Sequence, residues 1–205
     1  MQPLSHMHAR TLLDRARGNR LEALYVLAVS TGMRQGELLG LGWEDVDLEA
    51  RTVRVRRTLT LAKGGPRLTE PKTKGSRRCI RLTSGAVDAL ERHREPQEAE
   101  GAAAGDTWNA WDLVFCTRRG TPLRRDNLHD KHWKPLLRRA GLPDIRFHDL
   151  RHTCATLLLT KGVHPKIVSE MLGHSSVSIT LDIYSHVIPG LGEVAASAME
   201  DALFR

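Results

Sequence analysis

The sequence predicts a single α+β domain that is mostly α-helical and carries one small antiparallel β-sheet. Helical spacing of apolar residues covers most of the chain, alternation of apolar and polar residues is confined to residues 46–82, and no internal repeat is present. The 205 residues are enough to bury a core, and 40% hydrophobic with 27% charged residues is typical of globular domains. No apolar run approaches the roughly 18 residues of a membrane span, and no secretory signal begins the chain, so we expect a cytoplasmic protein.

The first 42 residues are predicted to form three helices. Ser5 precedes an amphipathic stretch and is the predicted N-cap of the first helix. The apolar segment 21–32 has the spacing of a buried helix, and Gly32 is placed to end it. Arg34 then lies in the turn, and a short helix resumes and ends near Gly42.

Residues 46–82 have the pattern of two or three strands dense in lysine and arginine. Val53 and Val55 alternate with Arg54 and Arg56, which is typical of a half-exposed strand. Turn residues stand at 64–66 and 74–76, and a further strand is predicted at 77–82.

The remainder returns to helices. Residues 84–100 begin as a helix, 99–106 are the best candidate for a surface loop, and 112–117 have the pattern of a short buried strand. Four further helices are predicted over 127–140 (ended by Gly141), 147–161, 165–172 and 176–184, the last with Ser175 or Ser176 as N-cap. After a break at Pro189 and Gly190, a short helix with an apolar stripe closes the chain.

The charge balance favours an acidic partner without proving one. Thirty-one Lys and Arg against 24 Asp and Glu give +7 and a pI near 9.8. This suits the phosphate backbone of a nucleic acid, although many basic proteins bind none. Cys79, Cys116 and Cys154 are odd in number and scattered, so we expect free buried thiols and neither disulfides nor a zinc site.

Several residues near the C-terminus suit phosphate chemistry. His148 and Arg151 are three residues apart and project from one face of a helix, and a guanidinium matches two phosphate oxygens. Arg151 in an ion pair with Asp149 is the structural alternative. His174 follows a glycine at a predicted helix end, where it either meets a phosphate near the next helix N-terminus or serves the turn alone.

Tyr184 is the candidate nucleophile. A phenol with a pKa near 10 is only about one part in a thousand ionised at neutral pH, so it needs positive charge or a base. The other tyrosine, Tyr25, lies in an apolar helix and is assigned no chemistry. Glu37, one turn beyond Arg34, either orients basic groups or forms a surface pair. Lys74, beside the turn at Gly75, is the candidate lysine and is otherwise a solvated turn residue.

The ordered set Arg34, Lys74, His148, Arg151, His174 and Tyr184 closely resembles the catalytic set of the tyrosine recombinases, the phage-integrase family. The surrounding stretches TGMRQGELLGL, EPKTKGSRR, FHDLRHTCATLLL and LGHSSVSITLDIYSHV resemble that family's motifs, and the resemblance spans about residues 5–190. It implies an integrase-type catalytic domain in a site-specific recombinase, acting in a bacterial cell or a phage-infected host.

The resemblance also implies a mechanism. Tyr184 would attack a DNA phosphate, leaving a 3′-phosphotyrosine and a free 5′-hydroxyl, without ATP, metal or another cofactor. Arg34, Arg151 and His174 would hold the phosphate oxygens. Lys74 would protonate the leaving 5′-oxygen, and His148 would assist transfer of the tyrosine proton.

The resemblance further implies an organisation. Members of this family carry a DNA-clamping domain, and some an arm-binding domain, ahead of the catalytic domain. Since Arg34 comes so early, we expect residues 1–205 to be a single catalytic domain without them. Double-stranded DNA is the implied partner, bound by a homotetramer that is a monomer when free. Residues 187–205 would dock on a neighbouring protomer, with packing on their own domain the equal alternative.

Three other functions compete. A type IB topoisomerase uses the same tyrosine chemistry but reseals the same strand. A non-catalytic DNA-binding module would keep the fold alone. A metal enzyme is suggested weakly by four histidines, since a His-x-x-x-His pair without an internal glutamate is a poor zinc signal; they are His148, His152, His174 and His186.

Overall fold

The computed structural model describes residues 3–70, 77–109, 111–185 and 191–204, which are mostly helical. The helices are α1 (His6–Ala16), α2 (Glu22–Thr31), α3 (Gln35–Leu39), α4 (Ser84–Ala104), α5 (Arg125–Asn127), α6 (Lys134–Ala140), α7 (Asp149–Thr160), α8 (Pro165–Leu172), α9 (Val177–Tyr184) and α10 (Leu191–Phe204). The strands are β1 (Val46–Asp47), β2 (Thr52–Val55), β3 (Thr58–Ala62), β4 (Gly65–Thr69) and β5 (Arg78–Arg81). Among these residues, no helix is long and apolar enough to cross a membrane.

Local capping chemistry sets several helix ends where the sequence predicts them. The Ser5 hydroxyl accepts a hydrogen bond from the His8 backbone N–H at 3.1 Å at the start of α1. Ser176 is the N-cap of α9 in the same way. Gly32 and Gly173 end α2 and α8 with φ of +61° and +70°, a left-handed conformation that glycine adopts without strain.

The strands form two small antiparallel units. β2 pairs with β1 on one side and with β5 on the other, while β3 and β4 make a separate hairpin that turns at Lys63 and Gly64. The predicted fold class, mostly helical with small antiparallel β-structure, is confirmed. The division into a three-stranded sheet and a hairpin was not predicted, and the second predicted turn, at 74–76, lies outside the described residues.

The secondary structure predicted for two segments was wrong. The expected loop at 99–106 is largely helix, because α4 continues through three alanines to Ala104 and Gly101 packs against Trp108. The expected strand at 112–117 forms only single bridges, Gly42 with Leu113 and Cys116 with Pro122. Its carbonyls are satisfied from α4, where His93 bonds the Val114 oxygen at 2.7 Å.

The predicted helix over 127–140 is interrupted. A π-helical stretch, Leu128–Trp133, joins α5 to α6. Pro135 lacks a backbone N–H and its ring crowds the preceding turn, which explains why regular α-helical bonding does not run through this region.

Two apolar clusters hold the fold together. The larger packs α1, α2, α4, α6 and the three-stranded sheet around Tyr25, Trp133 and Phe147. The smaller lies between α7, α8 and α9 and includes Leu159, Leu172 and Tyr184. Tyr184 therefore enters the site from a packed helix end rather than from a loose segment.

The three cysteines are free, but the prediction that all are buried was wrong for one of them. Cys116 and Cys154 are buried, whereas Cys79 is exposed. It lies on the edge strand β5, where Ile80 faces the core and Cys79 therefore faces solvent.

Candidate active site

Arg34 stands at the N-cap of α3 and is fixed by contacts to two elements. Its Nη1 donates to Glu37 Oε1 at 2.9 Å, and its backbone N–H donates to Glu37 Oε2 at 2.8 Å. Its Nη2 donates to the Gly173 carbonyl at the end of α8, at 3.2 Å. Arg34 thus joins the start of α3 to the C-terminal end of α8, where helix carbonyls carry partial negative charge.

Glu37 is the buried carboxylate of the site. It also accepts hydrogen bonds from Arg78, at 3.1 Å to Oε1 and 2.9 Å to Oε2. Arg78 Nε donates to the Met171 carbonyl of α8 at 2.6 Å. Burial raises the pKa of Glu37, but the hydrogen bonds and charges of Arg78 and Arg34 outweigh it and hold the pKa below its usual value. Of the two alternatives for Glu37, the structure has it orienting basic groups.

Arg151, on α7, is the most buried guanidinium of the group, with 5% of its surface exposed. Its Nη1 donates to the Gly32 carbonyl at the end of α2 at 2.7 Å. Its Nη2 is buried and has no hydrogen-bond partner among the described residues. Asp149 pairs with Arg146 instead, so the alternative pairing of Arg151 with Asp149 is not formed. Burial first, and then the charge of Arg34, lower the pKa of Arg151 to about 10.

His174 follows the left-handed Gly173 and is half-buried. Its Nδ1 is 2.8 Å from the hydroxyl of the buried Thr180 on α9. Burial, followed by the positive charges of Arg151, Arg34 and Arg78, lowers its pKa to about 4. The ring is therefore neutral at pH 7 and lies within electrostatic reach of those arginines.

Tyr184 ends α9 and is buried, with 3% of its surface exposed. Its hydroxyl is 2.6 Å from Nδ1 of His152 on α7, and the two ring centroids are 5.8 Å apart. Burial raises the pKa of Tyr184 to about 12, although the nearby charge of Arg151 works in the opposite direction. The phenol in this state needs a proton acceptor before it can act as a nucleophile.

Of the two remaining candidates, His148 and Lys74, only His148 is among the described residues. His148 occupies the N-cap position of α7 without a capping hydrogen bond from its side chain. It is exposed and meets the His152 ring edge to face, with the ring centroids 5.5 Å apart. Partial burial and the charge of Arg151 lower its pKa. It makes no hydrogen bond to Tyr184 among the residues that the structure describes. Lys74 lies outside the described residues.

The structure thus brings Arg34, Arg151, His174 and Tyr184 together, with His148 at the margin. Three participants were not singled out for this role from the sequence: Arg78, His152 and the carbonyl of Gly173. His152 follows Arg151 directly and is one helical turn from His148, a spacing that placed it on the right face. Arg78 offered no signal, because it is one of several basic residues on a short strand.

Within the described part of the chain, no group of three or more His, Cys, Asp or Glu side chains is arranged to hold a metal ion. The chemical character of the described site is instead cationic: Arg34 and Arg78 donate to the Glu37 carboxylate, and Arg151 lies within electrostatic reach of it. Such a surplus of rigid donors suits an anion with several oxygens, such as a phosphodiester.

The chain matches the model of the phage integrase family over residues 3–189. A tyrosine recombinase XerC-like protein of Caldanaerobacter subterraneus subsp. tengcongensis is 40% identical to it over 213 residues, covering 98% of this chain and 54% of that protein. The ICEBs1 integrase of Bacillus subtilis (strain 168) is 32% identical over 182 residues, covering 89% and 49% respectively. The chain therefore spans about half the length of these two relatives.

A solved structure has the same fold. The Tn1549 transposon integrase in complex with circular intermediate DNA superposes with a TM-score of 0.80, covering 98% of this chain and 67% of that one. Sequence identity in that comparison is 24%, so the likeness concerns the fold.

Proposed function

Because this chain belongs to the phage integrase family, we propose that it is the catalytic domain of a site-specific DNA recombinase or integrase. The proposed reaction is transesterification. Tyr184 attacks a DNA phosphodiester, a 3′-phosphotyrosine bond forms, and a 5′-hydroxyl is released. A 5′-hydroxyl from the partner duplex then attacks that bond, so one phosphodiester replaces another and no ATP is required.

One observation carries the proposal: a buried guanidinium keeps a free donor beside the candidate nucleophile. Arg151 Nη2 has no partner among the described residues, although burying such a donor unpaired is costly. A phosphate oxygen at that position would satisfy it. Arg34 and His174 lie within electrostatic reach of Arg151, so they would share the charge that develops on the phosphate oxygens.

The remaining roles rest on the sequence motifs. Lys74 is proposed as the general acid that protonates the departing 5′-oxygen, and His148 as a group at the edge of the site that assists proton transfer. Neither metal nor another cofactor is part of the proposed reaction, because guanidiniums supply the positive charge.

The proposed partner is double-stranded DNA carrying a recombination site, and the proposed assembly on it is a homotetramer formed from free monomers. The solved Tn1549 integrase complexed with DNA supports a DNA partner. On α10, the exposed apolar side chains of Met199, Leu203 and Phe204 support docking on a neighbouring protomer. The proposed setting is the cytoplasm of a bacterial cell or of a phage-infected host.

A covalent capture experiment tests this proposal. The protein is incubated with a pool of nicked duplexes built from candidate attachment sequences, in which the short product diffuses away so that religation fails. Protein–DNA adducts that survive denaturation are isolated on a gel and their DNA is sequenced. We expect an adduct for the wild type and none for Tyr184→Phe.

Tyr25→Phe is the matched control, because it removes the other phenol of a chain with two tyrosines and should leave the adduct unchanged. Arg151→Ala should lower the cleavage rate on the order of a hundredfold to a thousandfold while DNA binding changes far less. Absence of any adduct across the pool, also with a DNA-clamping domain supplied in trans, would contradict the proposal. Strand exchange that requires two sites separates a recombinase from a topoisomerase, which relaxes one supercoiled circle.

A further inference from the structure

The hydroxyl of Tyr184 is hydrogen-bonded to His152, whereas the family motif assigns assistance of the tyrosine proton to His148. Tyr184 Oη lies 2.6 Å from His152 Nδ1, whereas His148 is exposed and meets only the ring of His152. Both partners of the short contact are shielded from water, with 8% of His152 and 3% of Tyr184 exposed. A buried hydrogen bond of this length defines the position of the phenolic oxygen.

We propose that His152 is a further catalytic residue, which accepts the Tyr184 proton through Nδ1 as the tyrosine attacks the phosphate. This inference rests on the proposed recombinase function. His148 then acts beside His152 and not on the tyrosine itself.

The step balances without a further reactant. The Tyr184 O–H bond breaks and its proton moves to His152 Nδ1, while the bond between Oη and phosphorus forms. The bond from phosphorus to the 5′-oxygen breaks, and that oxygen takes a proton from a separate acid, the role proposed for Lys74. In the return step the tyrosine oxygen leaves and recovers its proton from His152.

The surroundings of His152 suit a neutral acceptor that becomes charged briefly. Burial, followed by the influence of His148, lowers its pKa, so the ring is unprotonated near neutral pH and Nδ1 is available. The carboxylate of Asp149 acts on the ring in the opposite sense and would stabilise the imidazolium. Arg151 and Arg146 also face it, and they favour rapid return of the proton.

A measurement without DNA tests the direction of this hydrogen bond. If Tyr184 donates, the His152 ring carries its hydrogen on Nε2 and Nδ1 is bare. Nitrogen NMR of histidine-labelled protein distinguishes the two tautomers, and the His152 Nδ1 resonance should move in Tyr184→Phe. A ring with hydrogen on Nδ1 would be donating to the tyrosine, and this result would overturn the proposal.

Cleavage by two variants separates proton acceptance from positioning. In His152→Asn the side-chain amide, like Nδ1, is attached directly to Cγ, so its oxygen can accept the tyrosine hydrogen bond but not a proton. His152→Gln places the amide farther out and loses both functions. We expect both variants to form the covalent adduct more slowly than wild type, on the order of a hundredfold or more. Wild-type cleavage by His152→Asn would reduce His152 to a positioning residue.

A chemically altered substrate then assigns the step. When sulfur replaces the bridging 5′-oxygen, the leaving group departs without protonation, so loss of a general acid is tolerated but loss of the base is not. We expect Lys74→Ala to recover on this substrate and His152→Asn to stay slow. Recovery of His152→Asn would assign His152 to the leaving group and refute the inference. Failure of the wild type to form any adduct would instead refute the recombinase function.

Discussion

Replacement of Glu37 by glutamine should destabilise the fold far more than the loss of a surface charge. The Glu37 and Arg78 side chains are 4% and 7% exposed and meet at 2.9 Å. Glutamine keeps the shape but removes the negative charge that pairs with the buried Arg78 guanidinium. Its amide nitrogen also cannot accept the hydrogen bonds that one carboxylate oxygen now accepts from Arg34 and Arg78. Breaking one side of a buried ion pair costs about 3–5 kcal/mol, so we expect the free energy of unfolding to fall by that amount.

Glu98→Gln is the matched control. It removes the same charge from a pair with Arg94 at 2.8 Å, where the two side chains are 66% and 53% exposed. Exposed pairs of this type contribute about 0.3–0.5 kcal/mol. Urea unfolding followed by circular dichroism measures both variants, and equal slopes show that the same surface is exposed on unfolding.

The double variant Glu37→Gln/Arg78→Met tests the cause. If the penalty comes from breaking the Glu37–Arg78 ion pair on one side only, removing the Arg78 charge as well should restore part of the lost stability, and the two changes should not be additive. A loss in Glu37→Gln no greater than in Glu98→Gln, or strict additivity in the double variant, would refute this explanation.

Three further outcomes are expected. Gly173→Ala should lower the free energy of unfolding by about 1–2 kcal/mol because its φ is +70°. It should lower it further because the added carbon lies 2.9 Å from Arg78 Nη1, which must move. Gly162→Ala, at φ +78° with open space around it, measures the backbone cost alone in the same unfolding assay. The pKa of His174 is lowered from 6.5 to about 4 in the folded protein, so the unfolded chain binds more protons between these pH values. The free energy of unfolding should therefore fall as the pH drops from 6.5 to 4, by at most about 3 kcal/mol. His174→Asn should flatten that part of the stability profile, and an unchanged profile would contradict the assignment. A thiol reagent should label only Cys79 rapidly in the native protein and all three cysteines after unfolding; rapid labelling of a second thiol would contradict the buried positions.

The sequence was sufficient wherever a local rule decides the structure. Ser5 and Ser176 cap their helices, and Gly32 and Gly173 end theirs, because capping depends on residues within one turn. Local rules failed at 99–106, where the glycines predicted a loop but the alanines continue the helix. They also failed at 112–117, where side chains of α4, and not a neighbouring strand, bond the backbone carbonyls.

For the candidate site, the sequence identified the residues, but the tertiary structure brought them together. Residue types, spacing and order along the chain were enough to nominate Arg34, His148, Arg151, His174 and Tyr184, and with them the family. Their meeting is a property of packing: Arg151 reaches the Gly32 carbonyl 119 residues away, and Arg34 reaches Gly173 across 139 residues.

Only the tertiary structure decided which groups touch. Arg78 became the buried partner of Glu37, and His152 rather than His148 became the neighbour of the Tyr184 hydroxyl. Both histidines lie on the same face of α7, so helical periodicity does not distinguish them. The packing of α9 against α7 distinguishes the two histidines, because it places Tyr184, at the end of α9, beside His152.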